Sequence, residues 1–171
     1  MDKFQNKYRI PSARLQGWDY GQNGAYFVTI CTQNRECYFG DILEGKMILS
    51  EMGMIARDNL FEIKNQFPFV ELDAFVVMPD HIHCVIVINN TRKDAIYRVS
   101  SNNEIIPNNP MLSHNLSRII RWYKGRTSFD IRNIHADFSW QSRFYDHIIK
   151  DDNMYRSIIN YIENNPLNWK R

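Results

Sequence analysis

The sequence VELDAFVVMPDHIHCVIVI, residues 70–88, decides the fold. It holds two runs rich in β-branched and aromatic residues, Val70–Met78 and His81–Ile88, which have the composition of strands. Only Pro79 and Asp80 separate the two runs, and both residue types favour a tight turn. Two strands joined so closely are predicted to pair as an antiparallel hairpin.

The flanking segments predict the other elements of an α+β domain. These are a strand at Gly24–Thr32, a turn-rich hairpin at Tyr38–Leu49, a helix from the N-cap Ser50 to about Asn65, a basic amphipathic helix at Ser113–Phe129, an aromatic strand or short helix within Phe138–His147, and a last helix from Asp151 or Asp152 to about Asn164. This order predicts a ferredoxin-like α+β sandwich, an antiparallel sheet with helices packed on one face. We expect a single domain over residues 1–171, with residues 90–110 as a long loop.

Composition excludes several classes of protein. Of the 171 residues, 44% are hydrophobic and 23% are charged, as in globular proteins rather than disordered, collagenous or coiled-coil ones. The longest stretch of aliphatic residues and Cys, Cys84–Ile88, is far shorter than the roughly 20 residues of a membrane helix. The N-terminus is polar and does not resemble a signal peptide. The three cysteines lack a metal-binding spacing, so a reduced, cytoplasmic protein with no membrane partner is expected.

The basic residues are unevenly distributed although the net charge is only +2. Residues 1–14 carry four cationic side chains against one acidic one, and residues 111–132 carry five against one. Such patches suit DNA phosphates, but they are equally compatible with two solvated faces. The candidate DNA-binding cations are Lys7, Arg9, Arg14, Arg118, Arg121, Lys124 and Arg126. The aromatic residues that either stack on unpaired bases or pack in the core are Trp122, Tyr123, Trp140 and Phe144.

Two histidines supply half of a candidate metal site. Side chains alternate along a strand, so His81 and His83 are predicted on one face, where two neighbouring imidazoles suit a divalent metal. A pair of hydrogen-bonded histidines at a sheet surface would have the same pattern. Asn165 offers a third ligand, because the following Pro166 favours a helix end there and the amide oxygen can complete a metal shell.

Tyr161 precedes Asn165 by four residues, so a helix would make these side chains neighbours. A tyrosine hydroxyl becomes a competent nucleophile toward phosphorus when a metal polarises the phosphate. The hydrophobic pattern of Met154, Ile158 and Ile162 also allows Tyr161 to be a core residue. No physical property of the sequence selects this tyrosine among the nine in the chain.

Three segments resemble the HUH single-tyrosine transposases, and in particular the REP-associated tyrosine transposases. They are RLQGWDYGQNGAYFVTICTQNRECYFG at residues 14–40, VVMPDHIHCVIVI at residues 76–88, and WQSRFYDHIIKDDNMYRSIINYIENNPLNW at residues 140–169. Each motif is weak by itself, but together, at this separation, they are specific. The resemblance covers nearly the whole chain and is weakest at residues 90–110.

This resemblance implies a ferredoxin-like fold and a metal-dependent enzyme that cuts and transfers single-stranded DNA beside a hairpin. His81 and His83 match the paired histidines that hold Mg²⁺ or Mn²⁺, and Asn165 matches the polar third ligand. Tyr161 matches the nucleophile, which attacks a DNA phosphate, forms a 5′-phosphotyrosyl link and frees a 3′-OH. Asp80 stands where many members have Asn, and both suit the turn before His81. The resemblance is compatible with a monomer or a homodimer, because the tyrosine helix can come from the same chain or from a partner.

Two other functions are compatible with the same residues. A catalytically silent nucleic-acid-binding module would keep the basic helix and the aromatic residues, and its affinity would depend on salt but not on metal. A metal-dependent phosphodiesterase would use water instead of Tyr161, turn over freely and leave no protein–DNA adduct. His147 is predicted to be structural, because it lies on a different element from the two paired histidines.

Overall fold

The computed structural model of the chain describes residues 20–89 and 115–170, together with the backbone of two short strands near the N-terminus. Arg9, Arg14, the side chain of Lys7 and the predicted loop at residues 90–110 lie outside the described residues. The strands are β1 (Lys3–Phe4), β2 (Lys7–Tyr8), β3 (Gly24–Cys31), β4 (Gly40–Leu43), β5 (Lys46–Leu49), β6 (Val70–Val77), β7 (His81–Ile88) and β8 (Tyr145–Ile149). The helices are α1 (Glu51–Gln66), α2 (Leu116–Ile131) and α3 (Asp152–Asn164).

Strands β6, β7, β3 and β8 form a sheet in that order, and every neighbouring pair is antiparallel. The predicted hairpin is its first pair: the amide of Met78 donates to the carbonyl of His81 at 2.8 Å and closes the turn. This order confirms the ferredoxin-like fold class. The chain forms two strand–helix–strand units, β3–α1–β6 and β7–α2–β8, and in the sheet β7 lies between the strands of the first unit and β3 between those of the second. A separate two-stranded hairpin, β4–β5, lies where the glycine-rich segment predicts it.

Helices α1 and α2 cover one face of the sheet and enclose the hydrophobic core with it. The core side chains of the central strands alternate in sequence, as predicted, and are Tyr26, Val28, Ile30, Ile82, Cys84, Ile86 and Ile88. The two helices are joined by the hydroxyl of Tyr123, which donates to the carbonyl of Ala56 at 2.9 Å. Burial of this apolar face is the main driving force that holds the layers together.

Helix α3 lies on the other face of the sheet, the face that carries the histidines. The hydroxyl of Tyr155 donates to Asp73 at 2.6 Å, beside an irregularity in the pairing of β6 with β7. The ring of Tyr161 meets that of Phe27 edge-on at 6.0 Å. The predicted packing of helices on one face holds for α1 and α2, whereas α3 adds a third layer on the opposite face of the sheet.

Each helix begins at a predicted or typical capping residue, whose side chain accepts a hydrogen bond from the first turn. Ser50 accepts from Gly53, Asn115 from Arg118, and Asp151 from Met154. The Asn115 cap explains why α2 begins at Leu116, three residues later than Ser113, the predicted start. Helix α3 runs from Asp152 to Asn164, as predicted.

Cys31, Cys37 and Cys84 form no disulfide. No described helix combines the length and the apolar character that crossing a membrane requires.

Candidate active site

His81 and His83 lie side by side on β7, each with only 5% of its surface exposed. Their Nε2 atoms face each other at 3.0 Å. Two ligand atoms at about 2.1 Å from one octahedral ion, at right angles to each other, are about 3.0 Å apart. The predicted pair on one face is therefore spaced as two neighbouring ligands of a single metal ion would be.

Both imidazoles are held through their other nitrogen. Thr29, which lies opposite His83 in the register of β3 and β7, hydrogen-bonds through its hydroxyl to His83 Nδ1 at 2.8 Å. The carboxylate of Asp80 contacts His81 Nδ1 at 2.5 Å. Such contacts fix the orientation of a histidine ring and keep Nε2 available as a metal ligand.

Asp80 is itself held in place. Its second carboxylate oxygen accepts from Arg35 Nε at 2.8 Å, and its backbone carbonyl accepts from the hydroxyl of Thr32 at 2.9 Å. Arg35 is the last residue of a short 3-10 turn, Gln33–Arg35, and has a φ of +59°, in the left-handed region. The chain Arg35–Asp80–His81 therefore connects a constrained turn to the imidazole, so that the ring orientation does not depend on the strand alone.

Burial above all, and then the electrostatic effects of His81 and Arg35, lower the pKa of His83 to about 3, against an opposing effect of Asp80. A histidine with this pKa is neutral at physiological pH. A neutral imidazole has the lone pair that a metal ligand needs. The electrostatics of the site therefore favour binding of a cation through this residue.

Tyr161 projects from α3 toward the histidines. Its hydroxyl is 3.3 Å from His83 Nε2, and its side chain is 51% exposed. This exposure argues against the alternative that Tyr161 is a core residue. The residue of α3 that is buried is its neighbour Ile162. The phenol thus lies next to the candidate metal ligands and is open to a substrate.

Asn165 is the C-cap of α3 and is 8% exposed. It lines the same cavity, of about 440 Å³, as Tyr161 and the two histidines. Among the described residues, no group of three His, Cys, Asp or Glu side chains could hold a metal ion. The amide oxygen of Asn165 is the further donor at hand beside the two imidazoles, and such a set is compatible with Mg²⁺, Mn²⁺ or a transition metal.

Five residues that line the cavity were not singled out from the sequence: Thr29, Arg35, Asn168, Trp169 and Lys170. Trp169 packs its ring 5.8 Å from that of His81, and Lys170 supplies a cation. Thr29 could have been found from the alternation of β3, since it shares a face with His83 once the two strands are paired. Arg35 carries no signal in the sequence, because its contact with Asp80 depends on how the turn folds back.

The predicted DNA-binding cations of α2 are divided between different roles. The ammonium group of Lys124 donates to the carbonyls of Gln141 and Arg143 at 2.7 and 2.9 Å. Arg126 forms an ion pair with Asp130 at 2.9 Å. Arg121 is exposed at a groove between α2 and the segment before β8. Arg118 lies in the first turn of α2 and is half-buried. Within residues 115–170, the contacts of Lys124 and Arg126 are made with residues 130, 141 and 143 and lie away from the histidine face.

The four candidate stacking aromatics are also divided. Tyr123 is fully buried and Trp140 is 9% exposed, and both belong to the core. Trp122 and Phe144 are half-buried against it. Core packing therefore accounts for at least two of the four. His147 is exposed on β8, opposite Phe27.

Comparisons with known proteins agree with this architecture. No family model matches the chain. It is 35% identical over 162 residues to an uncharacterized protein of Haemophilus influenzae, covering 94% of this chain and 89% of that protein. It is 26% identical over 152 residues to the REP-associated tyrosine transposase of Escherichia coli, covering 86% of this chain and 69% of that protein. It is 25% identical over 150 residues to a putative REP-associated tyrosine transposase of Haemophilus influenzae, covering 87% of this chain and 73% of that protein.

A solved structure of a REP-associated tyrosine transposase bound to a REP hairpin shares the fold. The TM-score is 0.59 and the sequence identity 22%, over 92% of this chain and 73% of that one. The antiparallel four-stranded sheet with its helices is thus the architecture of a solved transposase. Taken with the two relatives that are named as REP-associated tyrosine transposases, these findings bear out the resemblance of the chain to that family.

Proposed function

We propose that this transposase cleaves and transfers single-stranded DNA beside a hairpin, with Tyr161 as the nucleophile. One observation carries the proposal: the hydroxyl of Tyr161 lies 3.3 Å from Nε2 of His83, which in turn lies 3.0 Å from Nε2 of His81. A nucleophile and a pair of metal-binding atoms thus face one cavity. Neither a binding module nor a phosphodiesterase that uses water requires this proximity.

In the proposed first step, the phenolic oxygen of Tyr161 forms a bond to the phosphorus of a DNA phosphodiester. The bond from phosphorus to the 3′-oxygen of the preceding nucleotide breaks, and that oxygen takes a proton from solvent to become a 3′-OH. The phenolic proton leaves to solvent, which reaches Tyr161 because its side chain is half exposed. The product is a 5′-phosphotyrosyl link that retains the energy of the broken phosphodiester, so transfer to a second 3′-OH needs no ATP.

A divalent metal, Mg²⁺ or Mn²⁺, is part of this proposal. His81, His83 and Asn165 would hold it, since their donor atoms line the cavity beside Tyr161. When bound, it supplies Lewis-acid polarisation of the scissile phosphate. The protein contributes the orientation of the imidazoles, through Thr29 and Asp80.

The proposed substrate is a hairpin of the REP type with unpaired DNA at its side. The support is the solved relative described as bound to a REP hairpin. A homodimer and a cytoplasmic location remain predictions from the sequence. The distance of 3.3 Å supports attack by the Tyr161 of the same chain, since no partner is needed to bring the hydroxyl to His83.

A denaturing gel of the protein with a labelled library of single-stranded DNA hairpins and Mn²⁺ tests the proposal. We expect a protein-linked DNA band that disappears with EDTA and in Tyr161→Phe. Tyr145→Phe is the matched control, because Tyr145 is 54% exposed and lies opposite Thr29 in the sheet. This control variant should keep the band.

The other functions would give different results on the same gel. Salt-dependent binding without an adduct anywhere in the library would identify a catalytically silent binding module. Cleaved DNA that is never linked to protein, with full activity of Tyr161→Phe, would identify a phosphodiesterase.

A further inference from the structure

We propose that Trp169 is a positioning residue, which holds the imidazole of His81 in the orientation that a metal ligand needs. The two ring centroids are 5.8 Å apart and the ring planes are tilted by 34°, a separation typical of paired aromatic rings. Trp169 is half-buried in the wall of the active-site cavity, beyond the end of α3. Its part in metal binding rests on the proposed function, whereas its hold on the ring of His81 does not.

The contact with Trp169 complements the one that Asp80 makes with His81. The carboxylate of Asp80 meets the imidazole at Nδ1, on one edge of the ring. A contact at one atom leaves the ring free to tilt about that atom, whereas an indole packed against the ring restricts its plane. The two contacts together therefore fix the direction in which Nε2 points, and a ligand must be held to within about 0.5 Å and 10–20°.

His83 has the same two kinds of support. Thr29 hydrogen-bonds to its Nδ1, and the ring of Phe27 stacks on it with centroids 5.2 Å apart and planes tilted by 25°. Trp169 thus stands to His81 as Phe27 stands to His83. Each imidazole of the pair has one polar contact at Nδ1 and one aromatic neighbour, which is the arrangement expected when two ligands must be oriented together.

Trp169 lies on no strand or helix, so its place is set by the turn that follows α3. The backbone amide of Asn168 and its side-chain amide donate to the carbonyl of Asn164, at 3.2 and 3.0 Å. The amide of Trp169 donates to the carbonyl of Pro166 at 3.4 Å. The chain therefore turns directly after the helix, and this turn brings the indole into the cavity.

The β4–β5 hairpin supports this turn from outside. Gly45, with a φ of +72° in the hairpin loop, lies so close to Leu167 that a Cβ at position 45 would be 2.6 Å from Cδ2 of the leucine. At the base of the hairpin, the amide of Phe39 donates to the carbonyl of Pro79 at 3.0 Å. Pro79 belongs to the turn between β6 and β7, so the hairpin connects that turn to the segment that carries Trp169.

Carbon relaxation dispersion on the histidine rings tests the hold on His81 in metal-free protein. The full chain is labelled with ¹³C-histidine and measured in EDTA at one pH, since this method detects rings that exchange between orientations in microseconds to milliseconds. Trp169→Leu should introduce exchange broadening at His81 and leave His83 as in the wild type. Trp169→Phe keeps an aromatic ring and should remove most of the broadening.

Titration calorimetry with Mn²⁺ tests the consequence for the metal site. Trp169→Leu should weaken Mn²⁺ binding about tenfold, the low end of the range for residues that support a ligand, and Trp169→Phe should recover most of the affinity. Leu167→Ala should cause a smaller loss in the same direction. Leu43→Ala, at a leucine that is 60% exposed on the same hairpin, is its matched control and should bind Mn²⁺ like the wild type.

Either of two results would overturn the proposal: no broadening at His81 in Trp169→Leu, or an unchanged Mn²⁺ affinity in this variant while the wild type binds the metal. More adduct at unchanged Mn²⁺ affinity would show that Trp169 merely obstructs the cavity. Equal broadening at both histidines would also refute a specific hold on His81.

These outcomes are separate from those of the proposed function. A wild type that forms the adduct, beside a Trp169→Leu variant with unchanged ring dynamics, refutes only the role of Trp169. A wild type without Mn²⁺ binding or adduct, beside a variant with broadening at His81 alone, refutes only the proposed function and supports the hold of Trp169 on the ring.

Discussion

The two halves of the active site differ in how they are held. His81 and His83 lie on β7, which is hydrogen-bonded to β6 on one side and to β3 on the other, and their rings are further fixed by Asp80 and Thr29. Tyr161 lies on α3, of which Ile162 is the one fully buried residue. The structure describes the whole of this helix. Few contacts join it to the sheet, and one of them is the hydrogen bond from Tyr155 to Asp73.

This difference indicates that the histidine pair and Tyr161 have different structural requirements. A metal ion needs ligands at fixed distances, which a central strand provides because both of its edges are paired. The proposed nucleophile would carry its linked DNA strand, and a helix on few contacts can move without disturbing the sheet. Variants on the two sides should therefore affect different properties.

The largest expected effect is the loss of the DNA adduct, and it should have a different cause in each half. Tyr161→Phe and His83→Ala should each reduce adduct formation at least about a thousandfold. Only His83→Ala should also abolish binding of Mn²⁺, because Tyr161 is not a proposed ligand. Titration calorimetry with Mn²⁺ distinguishes the two variants. A similar loss of Mn²⁺ affinity in Tyr161→Phe would contradict the assignment of separate roles to His83 and Tyr161.

The next effect concerns the stability of the metal-free protein against acid. His83 takes up a proton near pH 6.5 in the unfolded chain but only near pH 3 in the folded one. The unfolded state therefore binds more protons between these values, and the free energy of unfolding should fall as the pH falls through this window, by up to roughly 1.4 kcal/mol per pH unit.

Denaturant unfolding in EDTA at a series of pH values measures this effect. His83→Gln should flatten the curve between pH 6.5 and pH 3, whereas the exposed His147→Gln should keep the wild-type slope. An unchanged slope in His83→Gln would mean that the buried imidazole does not oppose protonation.

A smaller effect is expected at Asp80, whose carboxylate holds the ring of His81. Asp80→Ala removes the carboxylate that contacts His81 Nδ1 and should weaken Mn²⁺ binding about tenfold to a hundredfold. Asp80→Asn keeps an oxygen acceptor at the same place and should recover most of the affinity. Calorimetry with both variants checks this, and equal affinities of Asp80→Ala and wild type would show that the strand alone orients His81.

The smallest effect is expected where α3 meets the sheet. Tyr155→Phe removes the hydrogen bond to Asp73 and should cost about 0.5–1.5 kcal/mol, toward the lower end because the pair is exposed. Hydrogen exchange should show faster exchange in α3 and unchanged exchange in β7. Tyr145→Phe, whose ring is exposed on β8, should change neither. Equal acceleration in both elements would mean that helix and sheet open together.

Much of the fold was predictable because its signals are local. Strand composition and the Pro79–Asp80 turn predicted the hairpin of β6 and β7, and the caps at Ser50 and Asp151 predicted where two helices begin. The start of α2 was wrong by three residues, because Ser113 and Asn115 are both capping types and only the folded chain selects Asn115.

The candidate site was predictable in part. Alternation along a strand placed His81 and His83 together, and the helical spacing of four made Tyr161 and Asn165 neighbours. The choice of Tyr161 among the tyrosines came from the resemblance to a family and not from any physical property of the residue. Thr29 and Arg35 were missed because each reaches the site from an element other than β7 and α3, and Trp169 was missed because it lies beyond the end of α3.

The sequence by itself determined the elements, the alternation of their faces and the chemical types available, since these depend on residues a few positions apart. Only the tertiary structure decided that α3 covers the histidine face, and that Tyr161 meets a histidine 78 positions away in the chain. It also divided the basic residues of α2 between an ion pair, a support for a loop and an open groove. Such contacts depend on how the layers pack. The hydrophobic effect drives this packing, but it is non-directional and does not specify which side chains meet.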